Sequence, residues 1–222
     1  MSFSEQVRDE LSSAPPERDC CRRALLCGLL RTAGSYHLRG RGEIHVEVDL
    51  PAGPSARRVV ELVRGMGGSC EIRTHRERRF GTGQRVDIAL GADAATLDLL
   101  VASGVLTRSY APKGRPPARV TGRGCCRAAY LRGAFVAAGT VASPRRPVHL
   151  EIRTHDAEAA VDVADLAATA GITLRVRERP KHSLAYTKRL ETVEDLLALI
   201  GAHDAALRLA EGEVVSRAKE DA

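Results

Sequence analysis

The 222-residue chain contains no tryptophan, and aromatic residues make up only 3% of it. A core must therefore be assembled from leucine, valine, isoleucine and alanine, within a hydrophobic share of 44% that suffices for a packed interior. No apolar run approaches the roughly 18 to 20 residues needed to span a bilayer. The opening stretch MSFSEQVRDEL lacks the basic start and apolar run of a secretory signal, so the expectation is a cytoplasmic protein with no membrane partner. Lysine is almost missing too: of 34 basic residues only Lys113, Lys181, Lys188 and Lys219 are not arginine. The formal net charge is nonetheless +6. Arginine presents a planar fork matched to phosphate and guanine, so this balance suggests a polyanionic partner.

Spaced metal-binding cysteines are absent as well. The six are Cys20, Cys21, Cys27, Cys70, Cys125 and Cys126, two adjacent pairs and two singles, unlike the spaced frameworks of zinc sites. They are expected to be free buried thiols packing as small hydrophobes, with no metal and no cofactor. The chain has no phosphate-cradling GxxxxGK[ST] and no dinucleotide fingerprint after a strand. FGTGQ (Phe80–Gln84) reads as a hairpin turn, since no helix follows it.

What is present is a duplication. DCCRRALLCGLLRTAG (Asp19–Gly34) and GCCRAAYLRGAFVAAG (Gly124–Gly139) superpose with Cys20 on Cys125, Gly28 on Gly133 and Gly34 on Gly139. IHVEV (Ile44–Val48) then meets VHLEI (Val148–Ile152), which pairs His45 and Glu47 with His149 and Glu151. TLDLL (Thr96–Leu100) resembles VEDLL (Val193–Leu197). Matches in one order over this span indicate a repeated structural unit. Each unit reads as helix, two strands, helix, two strands, helix. The predicted spans are Cys20–Ala33, Ser35–Leu38, Glu43–Leu50, Ser55–Met66, Ser69–Arg76, Gln84–Leu90 and Ala94–Ser103 in the first. In the second they are Gly124–Ala138, Thr140–Ala142, Val148–Thr154, Ala157–Ala170, Thr173–Arg179, Ser183–Arg189 and Thr192–Ile200. Hairpin returns imply antiparallel sheets, an α+β fold of pseudo-twofold tandem αββαββα repeats. Gly34 and Gly139 are expected as helix C-caps.

The predicted organisation is a first repeat over residues 1–108 including an N-terminal helix, a linker at 109–123, a second repeat at 124–202 and a C-terminal helix at 203–222. The linker assignment rests on SYAPKGRPPARVTGRG (Ser109–Gly124), rich in proline, glycine and positive charge. Within the first helix Ala24, Gly28 and Thr32 are four apart and share a face; Ala129, Gly133 and Ala137 repeat the pattern. Glycine inside a helix costs roughly 1 kcal/mol relative to alanine. A close approach of the two helices along this stripe would recover it, giving a monomer with an internal pseudo-dimer.

LCGLLRTAG (Leu26–Gly34) and LRGAFVAAG (Leu131–Gly139) resemble the nine-residue motif of LAGLIDADG homing endonucleases in their first residue, central glycine and terminal glycine. The resemblance implies motif helices paired at the domain interface and saddle-shaped sheets lying along the DNA major groove. SFSEQVRDEL, the two CCR triplets, LLRTAGS and CCRAAYLRGAF carry a closer resemblance, over residues 2 to 222, to the WhiA family of bacterial sporulation regulators. That implies a domesticated endonuclease scaffold, nucleoid association when DNA-bound, and a helix-turn-helix domain beyond Ala222.

In active relatives of the endonuclease type, an acid before the terminal glycine of each motif holds a divalent cation beside the scissile phosphate. Those positions are Ala33 and Ala138 here, and a methyl group cannot ligate a metal. There is no Asp or Glu from Cys20 to Gly42 or from Leu99 to Leu150. The nearest acids are Glu43, Glu47 and Glu151, with Glu47 and Glu151 expected to be ordinary strand glutamates and His45 and His149 to be structural.

Positive charge concentrates in the third and fourth strands of each unit. RTHRERR (Arg73–Arg79) contributes Arg73, His75, Arg76, Arg78 and Arg79; RVRERPK (Arg175–Lys181) contributes Arg175, Arg177, Arg179 and Lys181. Arg175, Arg177 and Arg179 alternate, so they share a sheet face. Arg145, Arg146, Lys188 and Arg189 are further candidates. Two basic ribbons side by side suit a DNA groove. The expected function is a non-catalytic regulator of sporulation and cell division that binds double-stranded DNA. Two alternatives remain: an interaction module for a partner transcription regulator, and a metal-dependent nuclease using Glu47 and Glu151.

Overall fold

The computed structural model describes every residue except 15, 39–43, 77–83, 145 and 221–222, and leaves aside the side chains of 38, 76 and 213–220. Arg78, Arg79 and Arg145 lie outside the described residues. Helix α1 (Phe3–Ser13) opens the chain. The first repeat follows as α2 (Asp19–Ala33), β1 (Gly34–Leu38), β2 (Ile44–Pro51), α3 (Pro54–Gly65), β3 (Cys70–Arg76), β4 (Gln84–Leu90) and α4 (Ala94–Ala102). A one-turn helix, α5 (Ala118–Thr121), precedes the second repeat. That repeat runs α6 (Gly124–Ala138), β5 (Gly139–Val141), β6 (Leu150–Thr154), α7 (Ala157–Ala168), β7 (Arg175–Arg179), β8 (His182–Thr187) and α8 (Leu190–Ile200), before α9 (His203–Glu220).

Each repeat folds its strands into one antiparallel sheet, in the orders β1-β2-β4-β3 and β5-β6-β8-β7. The pattern of β2 sets which side is wet: Ile44, Val46, Val48 and Leu50 are buried while His45, Glu47 and Asp49 point away from the core. In β6, Leu150 and Ile152 are buried and Glu151 and Arg153 take the opposite side. Sheets with one core face and one solvated face show this alternation. The connection through α3 or α7 carries the chain past β4 or β8 to the far edge, so β3 and β7 are edge strands.

Helices α2 and α6 form the centre. Leu26, Leu29 and Leu30 of one, and Tyr130, Leu131 and Phe135 of the other, are fully buried. Helices apolar on nearly every side belong in an interior. The contact is backbone to backbone. A Cβ on Gly28 would fall 2.8 Å from the Tyr130 carbonyl carbon, and one on Gly133 would fall 2.9 Å from the Leu25 carbonyl carbon and 3.0 Å from the Leu29 nitrogen. Ala24, Thr32 and Ala129 are buried along the same stripe, and Ala137 is half-buried.

Gly34 and Gly139 do end these helices, but not as left-handed caps. Both are extended, with φ −74° and −77°, and each starts a strand. Their missing side chain clears the preceding turn: a Cβ at Gly34 would lie 3.1 Å from the Leu30 carbonyl carbon. A left-handed glycine closes α8 instead, Gly201 at φ 94°.

The stretch between the repeats is more ordered than its composition suggests. Val120 and Thr121 of α5 are buried. Arg31 of α2 donates to the carbonyls of Lys113 and Gly114 and to Asp162 of α7 at 2.8 Å. Arg115 grips the same Asp162 at 2.9 Å and Asp165 at 3.0 Å. Helix α1 touches both repeats: Ser4 bonds the Val141 backbone, Arg8 donates to the Gly139 carbonyl at 3.0 Å, and Arg58 donates to the Ser12 carbonyl at 2.8 Å. Glu10 of α1 accepts the backbone amides of Asp204 and Ala205, which caps α9 from a distant part of the chain.

Candidate nucleic-acid interface

The solvent faces of the two sheets border one cleft of about 710 Å³, lined at its base by Thr32, Ala33, Ala137 and Ala138 from the C-terminal ends of α2 and α6. The first sheet contributes Ser35, Glu47, Asp49, Arg85 and Asp87, and the second contributes Thr140, Glu151, Arg153 and His182, with Lys181 from the β7–β8 turn. Arg8 enters from α1. Packing around that guanidinium pulls its proton affinity below the ordinary arginine range.

Ala33 and Ala138, the motif-end positions, put two methyl groups at the base of the cleft. The repeat-matched glutamates sit on the cleft walls, each beside its repeat-matched histidine: His45 lies 3.5 Å from Glu47 and His149 lies 3.0 Å from Glu151. His37 is 3.3 Å from Glu47 as well. Asp49, His75 and Asp87 also bring potential ligand atoms within 4.8 Å of one another. A cation fits poorly there, because the Arg85 guanidinium already lies 2.7 Å from Asp49. That contact neutralises one of the two carboxylates that would have to bind it.

The two sheets differ in charge, although the sequence suggested twin basic ribbons. On β3, strand register sets Arg73 opposite Asp87 and His75 opposite Arg85, while β2 sets Asp49 opposite Asp87. Arg73, His75 and Arg85 of this ribbon each lie beside an acid. Arg73 lies 3.3 Å from Glu71, His75 lies 3.2 Å from Asp87, and Arg85 is bound to Asp49. The backbone of Arg76 ends β3.

Strand β7 is the reverse case. All five of its residues are exposed, and Arg175, Arg177 and Arg179 have no carboxylate partner among the described residues. Register puts them opposite Tyr186, Leu184 and His182, three uncharged or weakly basic side chains. The row leads towards Lys181 at the cleft. Val176 is 38% exposed on the other side of the strand, as is Ile72 at 48% on β3. Lys188 and Arg189 lie at the opposite end of β8 from the β7–β8 turn, and Arg189 sits 3.7 Å from Glu191. Arg146 lines a separate hollow with His149 and Leu209.

The cysteines are free, but they are not all buried as expected. Cys27 fits the expectation: it is fully buried, and desolvation pushes its thiol up to about 12. Cys70 is half-buried. The two adjacent pairs, however, meet at the N-terminal ends of α2 and α6, with all four sulfur atoms within 4.8 Å of one another and Cys125 exposed. The signal was the repeat itself: once two helices pair about a pseudo-twofold, equivalent positions near their ends converge.

Comparison with known proteins bears on this architecture directly. Residues 19–96 match the family model for the WhiA N-terminal LAGLIDADG-like domain, and residues 127–219 match that for the WhiA LAGLIDADG-like domain. The "probable cell division protein WhiA" of Heliobacterium modesticaldum is 34% identical over 97% of this chain and 68% of its own length. That of Symbiobacterium thermophilum is 32% identical over 99% of this chain and 70% of its own. Full-length DUF199/WhiA from "Thermatoga maritima" superposes with a TM-score of 0.75 at 18% identity, covering 98% of this chain and 67% of that one. The homing endonuclease I-DmoI, in complex with DNA and manganese, superposes with a TM-score of 0.52 at 11% identity over 82% of this chain and 97% of its own. Two tandem LAGLIDADG-like repeats joined through paired glycine-notched helices, with this kinship along nearly the whole length, place the chain in the WhiA family.

Proposed function

We propose that this chain is a non-catalytic, duplex-DNA-binding regulator of the sporulation and cell-division type, and that its grip is lopsided. The observation that carries this reading is the row Arg175, Arg177 and Arg179, exposed and without acidic partners on β7, leading to Lys181 at the cleft. Three guanidiniums at every second residue suit a phosphate backbone, whose release of counterions drives sequence-independent affinity. The first sheet presents Glu47, Asp49 and Asp87 towards the same cleft, which repels phosphate. Its role is register and shape, with Arg78 and Arg79 as further candidate contacts. The structural neighbour I-DmoI, crystallised in complex with DNA, supports DNA as the partner of this scaffold.

Cleavage is not expected, because phosphodiester hydrolysis of this kind needs carboxylates anchoring a hard cation. The motif ends carry Ala33 and Ala138, and the nearest cleft acids are engaged by histidine or arginine. The test is duplex binding by fluorescence anisotropy, with Arg175→Ala/Arg177→Ala/Arg179→Ala beside the parent chain. Parallel incubations with plasmid and Mg²⁺ or Mn²⁺ test for cleavage. Binding that collapses in the triple variant, over intact plasmid, supports the proposal. Negligible affinity unaffected by the variant would favour an interaction module for a partner regulator. Nicking abolished by Glu47→Gln or Glu151→Gln would establish a nuclease.

A further inference from the structure

At the far end of the central helix pair, about 20 Å along the helix axis from the cleft base, the molecule gathers four of its six cysteines. Cys20 and Cys21 are the second and third residues of α2; Cys125 and Cys126 are the second and third of α6. Within each adjacent pair the sulfur atoms are 3.9 Å apart, and all four lie within 4.8 Å of one another. Four sulfurs at tetrahedral corners around a zinc ion, at Zn–S distances of about 2.3 Å, are about 3.8 Å apart. The observed spacings, 3.9 Å within each pair and at most 4.8 Å across the cluster, lie close to that value.

We infer that the four cysteines form a tetrathiolate site for a single Zn²⁺ ion, two ligands from each repeat, which clamps the repeats together at the N-terminal end of their shared helix pair.

Three further observations support a mononuclear ion. Sulfide-bridged iron clusters hold their ligand sulfurs around several metals, farther apart than a single ion does, and the spacing here is too tight for one. A disulfide needs sulfurs about 2.05 Å apart, whereas these thiols are free. The surroundings also suit the residual double negative charge of a zinc tetrathiolate. Two helix N-termini converge on it. Arg18 and Arg123 are the N-cap residues, and Arg22, Arg23 and Arg127 follow within a turn. Asp19 is the one acid in either opening turn, and Arg22 pairs with it at 3.4 Å. Cys21 and Cys126 are buried, Cys20 is half-buried, and exposed Cys125 leaves a route of entry for the ion. Binding exchanges thiol protons for the metal, so up to four protons pass to solvent per ion.

The experiment titrates the reduced, metal-free full chain with Co²⁺, then displaces it with Zn²⁺, following the ligand-field and thiolate-to-cobalt bands. The expected result is a tetrahedral tetrathiolate spectrum saturating at about one equivalent and erased by about one equivalent of Zn²⁺. Added Zn²⁺ should also raise the melting temperature. Cys20→Ser and Cys125→Ser should each abolish the tetrathiolate spectrum and the thermal shift. Cys70→Ser, away from the cluster, should leave both intact. Circular dichroism of each variant separates loss of metal from loss of fold. The inference is overturned if the folded wild-type chain gives no tetrathiolate spectrum under reducing conditions. A spectrum that survives in folded Cys20→Ser/Cys125→Ser also overturns it. So does peptide mapping that finds cross-helix disulfides in the natively isolated, metal-free chain, since that would make the cluster a redox staple.

Discussion

Gly28 inverts the usual preference of a helix. At an exposed interior position, replacing glycine with alanine stabilises by about 1 kcal/mol. Here the added methyl would meet the Tyr130 backbone, which cannot rotate aside as a side chain would. Gly28→Ala and Gly133→Ala are each expected to destabilise the chain by about 1–3 kcal/mol, the range for forcing volume into a packed core. Urea unfolding midpoints measure this; a stabilised variant would mean that the helices are not in contact there. A second residue-level expectation concerns acid. Asp93 caps α4, accepting from Ser69 Oγ first, then from Thr96 Oγ1 and the Thr96 amide, and these bonds hold its carboxyl at about 2. A depressed folded-state value stabilises the protein above the ordinary aspartate value of about 3.9 and is lost as pH falls through about 2. The melting-temperature gap between wild type and Asp93→Asn should be widest above about pH 5 and close towards pH 2. A gap independent of pH would contradict the assignment.

At the scale of elements, the most buried ion pair among the described residues centres on Asp162 of α7. It is 3% exposed, lies 2.8 Å from an almost equally buried Arg31, and also holds Arg115. Removing one partner of a buried pair leaves an uncompensated charge, so Asp162→Ala should cost about 3–5 kcal/mol. Arg115→Ala, at a side chain two-thirds exposed, should cost much less. Chemical denaturation of both variants checks the order. The elements themselves were legible because β2 and β6 alternate at every second residue, the motif helices are near-continuous apolar stretches followed by glycine, and a repeat allows each reading to be checked against its copy. Partner choice across the fold was not. Nothing near Arg31 in the chain points to Asp162, 131 residues away. Likewise, the positive ribbon of β3 reads like that of β7 until register places Asp49 and Asp87 beside it. The short α5 escaped because proline and glycine around Ala118–Thr121 mask four residues whose order comes from burying Val120 and Thr121.

For the whole molecule, the paired helices organise everything else. Their C-terminal ends form the cleft base between the sheets, and their N-terminal ends bring the adjacent cysteines into one cluster. The cleft residues Glu47, Glu151, Ala33 and Ala138 could be named from sequence, since the motif positions and the repeat offset identify them. The imbalance between the sheets could not, because it depends on which acids neighbour which arginines in space. The central functional claim is that β7 supplies the phosphate contacts, and the most direct measurement is the salt dependence of duplex affinity. Each phosphate contact contributes about 0.9 to the slope of log K against log salt. The account predicts a steep negative slope for the parent chain, shallower by about 2–3 when Arg175, Arg177 and Arg179 become alanine. An identical slope in the two proteins, or no measurable duplex binding by the parent chain, would contradict it.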